Sequence, residues 1–140
     1  MSTFLLEVIT PEKMVFDGEV DLVSVPSVTG TLGILAGHTP LFTQLTEGEL
    51  KIVKSEQEFY LSLGEGFMEV TPRKVVILVT KALDADEIDE ERVLAAKKEA
   101  EETLKLRPSG ETMISAQAVV RSTLFDLKVL RRRRPAKIPS

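Results

Sequence analysis

Three short stretches hold the residues whose types could carry chemistry: residues 30–41, rich in glycine and holding the single histidine His38; the segment Ile88-Asp89-Glu90-Glu91-Arg92; and the run Arg131-Arg132-Arg133-Arg134. A lone imidazole with no nucleophile or second ligand beside it supports neither covalent catalysis nor a metal centre. The chain has no cysteine, which removes thiolate nucleophiles, disulfides and zinc–thiolate sites together and fits a reducing compartment. No paired carboxylates mark acid–base work. A metal centre built on histidine or cysteine is not expected, and catalysis by acids alone is the one chemistry left open.

The glycines of residues 30–41 invite a test for nucleotide binding. A phosphate-cradling loop needs Lys-Ser/Thr after its glycines and a strand-to-helix transition, and both are missing here. A shaped connection between strands explains the glycines and Pro40 better. For His38, packing, a capping hydrogen bond or a partner contact all remain open. Asp89 suits a helix N-cap and Arg92 a solvated base in the first turn. The four arginines complement a helix C-terminus, and no aromatic residues interleave with them as in a nucleic-acid surface. A formal charge of −4 likewise argues against nucleic acid as partner.

The elements that must position these residues fall into two regimes. From Phe4 to about Lys81, short alternating segments are punctuated by turn residues: Leu6, Val8 and Thr10; Val20, Leu22 and Ser24; Leu50, Ile52 and Lys54; then residues 58–63, 67–70 and 74–80. So many short strands without room for helices predict a β-sandwich or barrel. Residues 84–106 then read as one helix, capped by Asp86 or Asp89, with a narrow apolar face of Val93, Ala96, Ala100 and Leu104. After Arg107-Pro108-Ser109-Gly110 a second helix begins near Glu111, with a seam of Met113, Ala116, Val120, Leu124, Leu127 and Leu130.

Residues 84–106 carry nine acids and four bases, whereas residues 112–140 carry seven bases and one acid, so an antiparallel helical hairpin is favoured by charge. Such a thin hairpin needs a neighbour to bury its remaining apolar surface, and two dockings of similar free energy would make it a switch. The expected division is a β-sandwich over 1–83 and a helical hairpin with a basic tail over 84–140. No apolar run approaches the roughly 18 to 20 residues of a membrane span. The amino terminus lacks the pattern of a signal or transit peptide, so a cytosolic, unprocessed chain is expected.

The stretch Gly30-Thr31-Leu32-Gly33-Ile34-Leu35-Ala36-Gly37-His38-Thr39-Pro40-Leu41 resembles the signature of the epsilon subunits of rotary F-type ATP synthases, with Ala36 where proline is usual. Val8-Ile9-Thr10-Pro11-Glu12, Phe16-Asp17-Gly18 and Gly64-Glu65-Gly66-Phe67-Met68-Glu69-Val70 are similar to that family in order and spacing. The resemblance spans the chain and implies an N-terminal β-sandwich with a two-helix C-terminal part. It implies a non-catalytic subunit of the central stalk that couples proton-driven rotation to ATP synthesis and inhibits ATP hydrolysis through its C-terminal helices. The implied partners are the gamma subunit, the c subunits of the membrane ring and the catalytic alpha/beta head. Membrane association would come only through the complex, at the cytoplasmic face of a bacterial inner membrane.

Ile88, Asp89 and Arg92 also resemble a motif with which certain bacterial epsilon subunits bind ATP, with Val93 in place of alanine and Arg121 as the second-helix arginine. No cofactor is required, and ATP enters only as a weak regulatory ligand. Thr10, Thr31, His38 and Arg131 to Arg134 are the candidate partner contacts, the turns around Thr10 and Thr31 facing the ring. An ATP-binding module whose hairpin closes over the nucleotide is the alternative, and a free sandwich adaptor is a third reading.

Overall fold

The computed structural model describes residues 2–132. Ten strands come first: β1 (Phe4–Ile9), β2 (Met14–Val20), β3 (Leu22–Ser27), β4 (Gly30–Leu35), β5 (Leu41–Leu45), β6 (Gly48–Lys54), β7 (Gln57–Leu63), β8 (Gly66–Val70), β9 (Lys74–Val79) and β10 (Ala82–Leu83). Their hydrogen-bonded order is β10-β7-β6-β3-β5-β8-β9-β1-β2, with β4 also on β3. Ser27 opposite Leu45 is the sole residue pair joining β3 to β5, so the path folds over there into two facing layers. Side chains from both layers, among them Leu6, Val25, Ile52, Leu61, Met68 and Ile77, form one buried core. Each such side chain contributes about 1.5–3 kcal/mol by leaving water.

Alternation predicts most of this core but fails at one place. Val20 is buried as expected, yet Val23 and Val25 rather than Leu22 and Ser24 follow it inward. The strand breaks at Asp21, and a one-residue shift moves a whole strand's side chains to the opposite face. Of residues 30–41, the first six form β4 itself rather than a connection, and residues 36–40 make the loop to β5. Gly66 opens β8 where β9 passes closely: a Cβ on it would lie 1.9 Å from the Leu78 carbonyl oxygen.

The expected first helix is two elements. Asp84 and Glu87 form a capping box around a single 3-10 turn, Ala85–Glu87. Ile88 is then extended, and the Asp89 carboxylate accepts from the Arg92 amide at 3.2 Å to start α1 (Glu90–Lys105) afresh. Asp89 rather than Asp86 is the cap of α1. The chain reverses through Arg107, whose φ is 51°, into α2 (Gly110–Leu130). At about 1.5 Å per residue, α1 and α2 are roughly 24 and 31 Å long.

The single seam expected on α2 is instead two stripes. Ala116, Thr123 and Leu127 are buried, but Leu124 is half-exposed at 49%. A second stripe, Ser122, Asp126, Val129 and Arg132, turns toward the sandwich, because α2 packs against β6 and β7 as well as α1. Burial shared between two neighbours displaces the centre of the buried face, and Leu124 falls outside it.

Candidate functional site

The outer face of β6 and β7 receives the C-terminal half of α2 through polar groups. Asp126 is 6% exposed and Ser62 1%, and the Ser62 hydroxyl donates to Asp126 Oδ1 at 2.5 Å. Lys81 Nζ lies 2.9 Å from the same oxygen and 3.2 Å from Ser122 Oγ. Above this clasp Arg121 pairs with Glu47 at 3.3 Å. Below it Arg132 grips Glu49 with two nitrogens, Nε at 2.9 Å from Oε2 and Nη2 on Oε1. The guanidinium carbon stands 4.3 Å from the centroid of the Tyr60 ring.

The surrounding charges are ordered by the two-residue period of the strands. Lys51 and Tyr60 are directly paired across β6 and β7, and Glu58 binds both, the lysine at 3.0 Å and the phenol at 3.0 Å. The Lys51 hydrogen bond, aided by Tyr60, holds the Glu58 carboxyl below its ordinary value. Burial, then the Glu58 hydrogen bond, pushes the Tyr60 phenol up. The Glu49 hydrogen bond raises Arg132. Glu58 is thus neutralised by Lys51, while Glu49 is left for the helix.

The other layer carries a different chemistry on its outer face. Phe42, Phe67 and Leu78 are 67%, 47% and 50% exposed. The Phe42 and Phe67 rings stack with centroids 5.6 Å apart, and Leu78 lies directly across from Phe67 between β8 and β9. Contiguous exposed aromatic and aliphatic surface of this kind is suited to covering by a protein partner.

The candidate contact residues are distributed over both ends of the sandwich. The pairings Ile9–Leu78, Val79–Gly66, Gly66–Leu45, Leu45–Ser27 and Pro26–Thr31 run from the Thr10 turn to Thr31, so both lie toward one end. Thr31 is exposed, but the Thr10 side chain is buried, its hydroxyl engaging the Lys13 backbone; Pro11, Glu12 and Lys13 form the exposed tip. His38 lies in the loop at the opposite end, exposed, with Nδ1 2.7 Å from the Thr39 carbonyl oxygen. Arg131 is exposed at the end of α2, Arg132 is engaged as above, and Arg133 and Arg134 lie outside the described residues.

Of the residues resembling a nucleotide motif, Ile88 is buried, Asp89 caps α1, Arg92 is exposed and Arg121 is turned to Glu47. Among the described residues no group of His, Cys, Asp and Glu is arranged to hold a metal ion.

The ATP synthase Delta/Epsilon chain beta-sandwich domain is the family whose profile matches residues 3–85. The ATP synthase epsilon chain of Herpetosiphon aurantiacus is 43% identical over 129 residues, covering 92% of this chain and 95% of the relative. This chain belongs to the ATP synthase epsilon chain family. The epsilon chain of Dehalococcoides mccartyi is 40% identical with 96% of both chains covered, and that of Bordetella avium 35% identical with 98% of both covered. Among solved structures, a chain of the Euglena gracilis mitochondrial ATP synthase shares the fold at a TM-score of 0.69 and 22% identity, covering 93% of this chain and 78% of that one. A chain of the Tetrahymena thermophila central stalk and c-ring shares it at 0.58 and 16%, covering 92% and 97%. Epsilon chains are non-catalytic subunits, and this one is a component of ATP synthase.

Sequence reasoning passed over Glu49, Tyr60, Lys81, Asp126 and the Phe42–Phe67–Leu78 strip. One signal was available: Asp126 is the single acid among the bases of residues 112–140, set in an apolar stretch. An isolated acid there needs a buried partner.

Proposed function

We propose that the chain works in the central stalk, its sandwich coupling proton-driven rotation to ATP synthesis and its C-terminal helices restraining ATP hydrolysis. In this reading residues 1–83 bind the gamma subunit and rest on the membrane ring of c subunits. Residues 84–140 form the regulatory part, reaching the alpha/beta head when released. The observation that carries the reading is the unequal chemistry of the two outer faces. The Phe42, Phe67 and Leu78 strip offers apolar area for a lasting partner, for which gamma is the natural occupant. The helices are held through Asp126, Lys81, Arg132 and Glu49, groups that water can satisfy once parted.

The exposed tip beside Thr10 and the strand end at Thr31 share one end of the sandwich, which supports assigning that end to the ring. No helix among the described residues is long and apolar enough to cross a membrane. Attachment at the cytoplasmic face of a bacterial inner membrane then comes through the complex.

Reconstitution of the catalytic head tests the brake. A chain ending near Leu106 should raise ATP hydrolysis, and alanine at Arg131, Arg132, Arg133 and Arg134 should give partial release. Unchanged hydrolysis with the subunit still bound would remove the inhibitory role.

A further inference from the structure

Arg132 does not rest on the sandwich as a generic surface cation. Its fork spans both oxygens of one carboxylate, which suits a guanidinium and not an ammonium, and its guanidinium carbon stands over an aromatic ring, a contact that arginine makes more often than lysine. The receptor side is built as well. The Glu49 side chain is 9% exposed, and Lys128, its other cation, approaches only to 4.0 Å. Glu58, the second acid on this face, is occupied by Lys51 and by the Tyr60 hydroxyl.

We propose that Glu49 and Tyr60 form a guanidinium-binding site on the sandwich, filled in cis by Arg132, and that its occupancy latches the C-terminal end of α2. The site lies at the far end of the hairpin from the α1–α2 turn, so it restrains the end of α2 that no covalent connection to the sandwich holds. An arginine held there is withheld from acidic surfaces of other chains. That last consequence rests on the brake proposed above, whereas the site itself does not.

Tyr60 is the only tyrosine and the chain has no tryptophan, so ultraviolet-excited tyrosine emission reports this site without a label. In the full chain, Glu49→Gln and Arg132→Lys should each make Tyr60 several-fold more open to acrylamide quenching. Each should also speed hydrogen exchange several-fold in the last turns of α2. Glu58→Gln should leave that exchange near the native rate. Guanidinium chloride, kept far below unfolding concentrations, should speed the same exchange more than sodium chloride of equal ionic strength, and should add nothing in Glu49→Gln. The proposal is overturned if Arg132→Lys exchanges like the native chain, if Glu58→Gln matches Glu49→Gln, or if the two salts act alike. Arg132→Lys changes a surface residue and carries the test should Glu49→Gln fail to fold. None of these readouts involves hydrolysis, so a failed latch and a failed brake are told apart.

Discussion

Asp126 of α2 and Ser62 of β7 meet at 2.5 Å, 64 positions apart in sequence, and both are almost wholly out of water. The contact joins the helical and strand-built parts of the chain. Lys81, on the connection between β9 and β10, completes it from the side and is 30% exposed. Replacing Asp126 by alanine strands the buried Ser62 hydroxyl and leaves Lys81 with Ser122 and water alone, at a cost of about 1 to 3 kcal/mol. Asp126→Asn retains an acceptor for Ser62 and should cost less. Hydrogen exchange along α2 measures both. Equal exchange in native and Asp126→Ala chains would mean that the clasp does not hold the helix.

The ionic face of β6 and β7 makes the sandwich sensitive to pH in two directions. Burial and Glu58 raise the Tyr60 phenol, and Glu58 raises Lys51. A raised value means stability present below the ordinary value and lost as pH climbs through the raised one. The stabilisation that this face lends the fold should therefore be lost in the alkaline range above about pH 10. Glu58 is held low by Lys51 first and Tyr60 second, so its contribution is present above the ordinary carboxylate range and lost as pH falls through the lowered value. Absorbance titration follows the phenolate of Tyr60 alone. Its midpoint should lie above that of free tyrosine and move down in Glu58→Gln; an ordinary midpoint in the native chain would contradict this.

The β6–β7 hairpin is closed by Ser55 and Glu56, both with positive φ, at 52° and 67°. Two such residues fit the turn that the strand twist demands, but glycine and asparagine fit it with less strain. The Asn-Gly replacement of this pair should stabilise the chain by about 1 kcal/mol. Thermal unfolding measures it. A loss would show that Asp21, which accepts from the Ser55 amide at 2.9 Å, needs more than the backbone of this turn.

Much of the sandwich is legible in the sequence because one buried face forces a period of two, as Leu6, Val8 and Thr10 or Leu50 and Ile52 illustrate. The hairpin is legible as a pair of helices, yet its buried face is not. Leu124 fits the spacing of an apolar seam, but spacing describes packing against one neighbour, and α2 has two. The same limit hides the clasp: Ser62 and Lys81 are unremarkable polar residues in their own segments, and the lone acid Asp126 meets them only when folding brings those segments together. The apolar strip is masked for a different reason. Phe67 and Leu78 lie in strands whose inward residues are also apolar, so composition gives no sign of which face each occupies.

That strip yields a prediction separate from the helices. Phe67→Ser and Leu78→Ser remove half-exposed side chains, so the cost to folding should be modest, about 1 kcal/mol, including the lost Phe42–Phe67 stack. Association with the gamma subunit should fall strongly, read as the fraction of chain that co-purifies with it. Undiminished association in the double variant would assign the strip no part in assembly.

Nucleotide binding by the isolated chain should be weak, and the reason is geometric. An ATP seated between the helices and the sandwich would have to draw Arg121 away from Glu47, 3.3 Å distant. Asp89 already has an oxygen engaged in starting α1, and the neighbouring position carries Val93, bulkier than the alanine of the motif it resembles. Each competing contact subtracts from whatever the phosphates and base supply. Calorimetry should accordingly find a dissociation constant of about a millimolar or weaker, equivalent to no more than about 4 kcal/mol of binding free energy. Glu47→Gln, which releases Arg121, should tighten binding, and Asp89→Ala should act mainly through the lost cap, lowering helicity by circular dichroism. Micromolar binding that disappears in Asp89→Ala while helicity is kept would instead make Asp89 a nucleotide ligand.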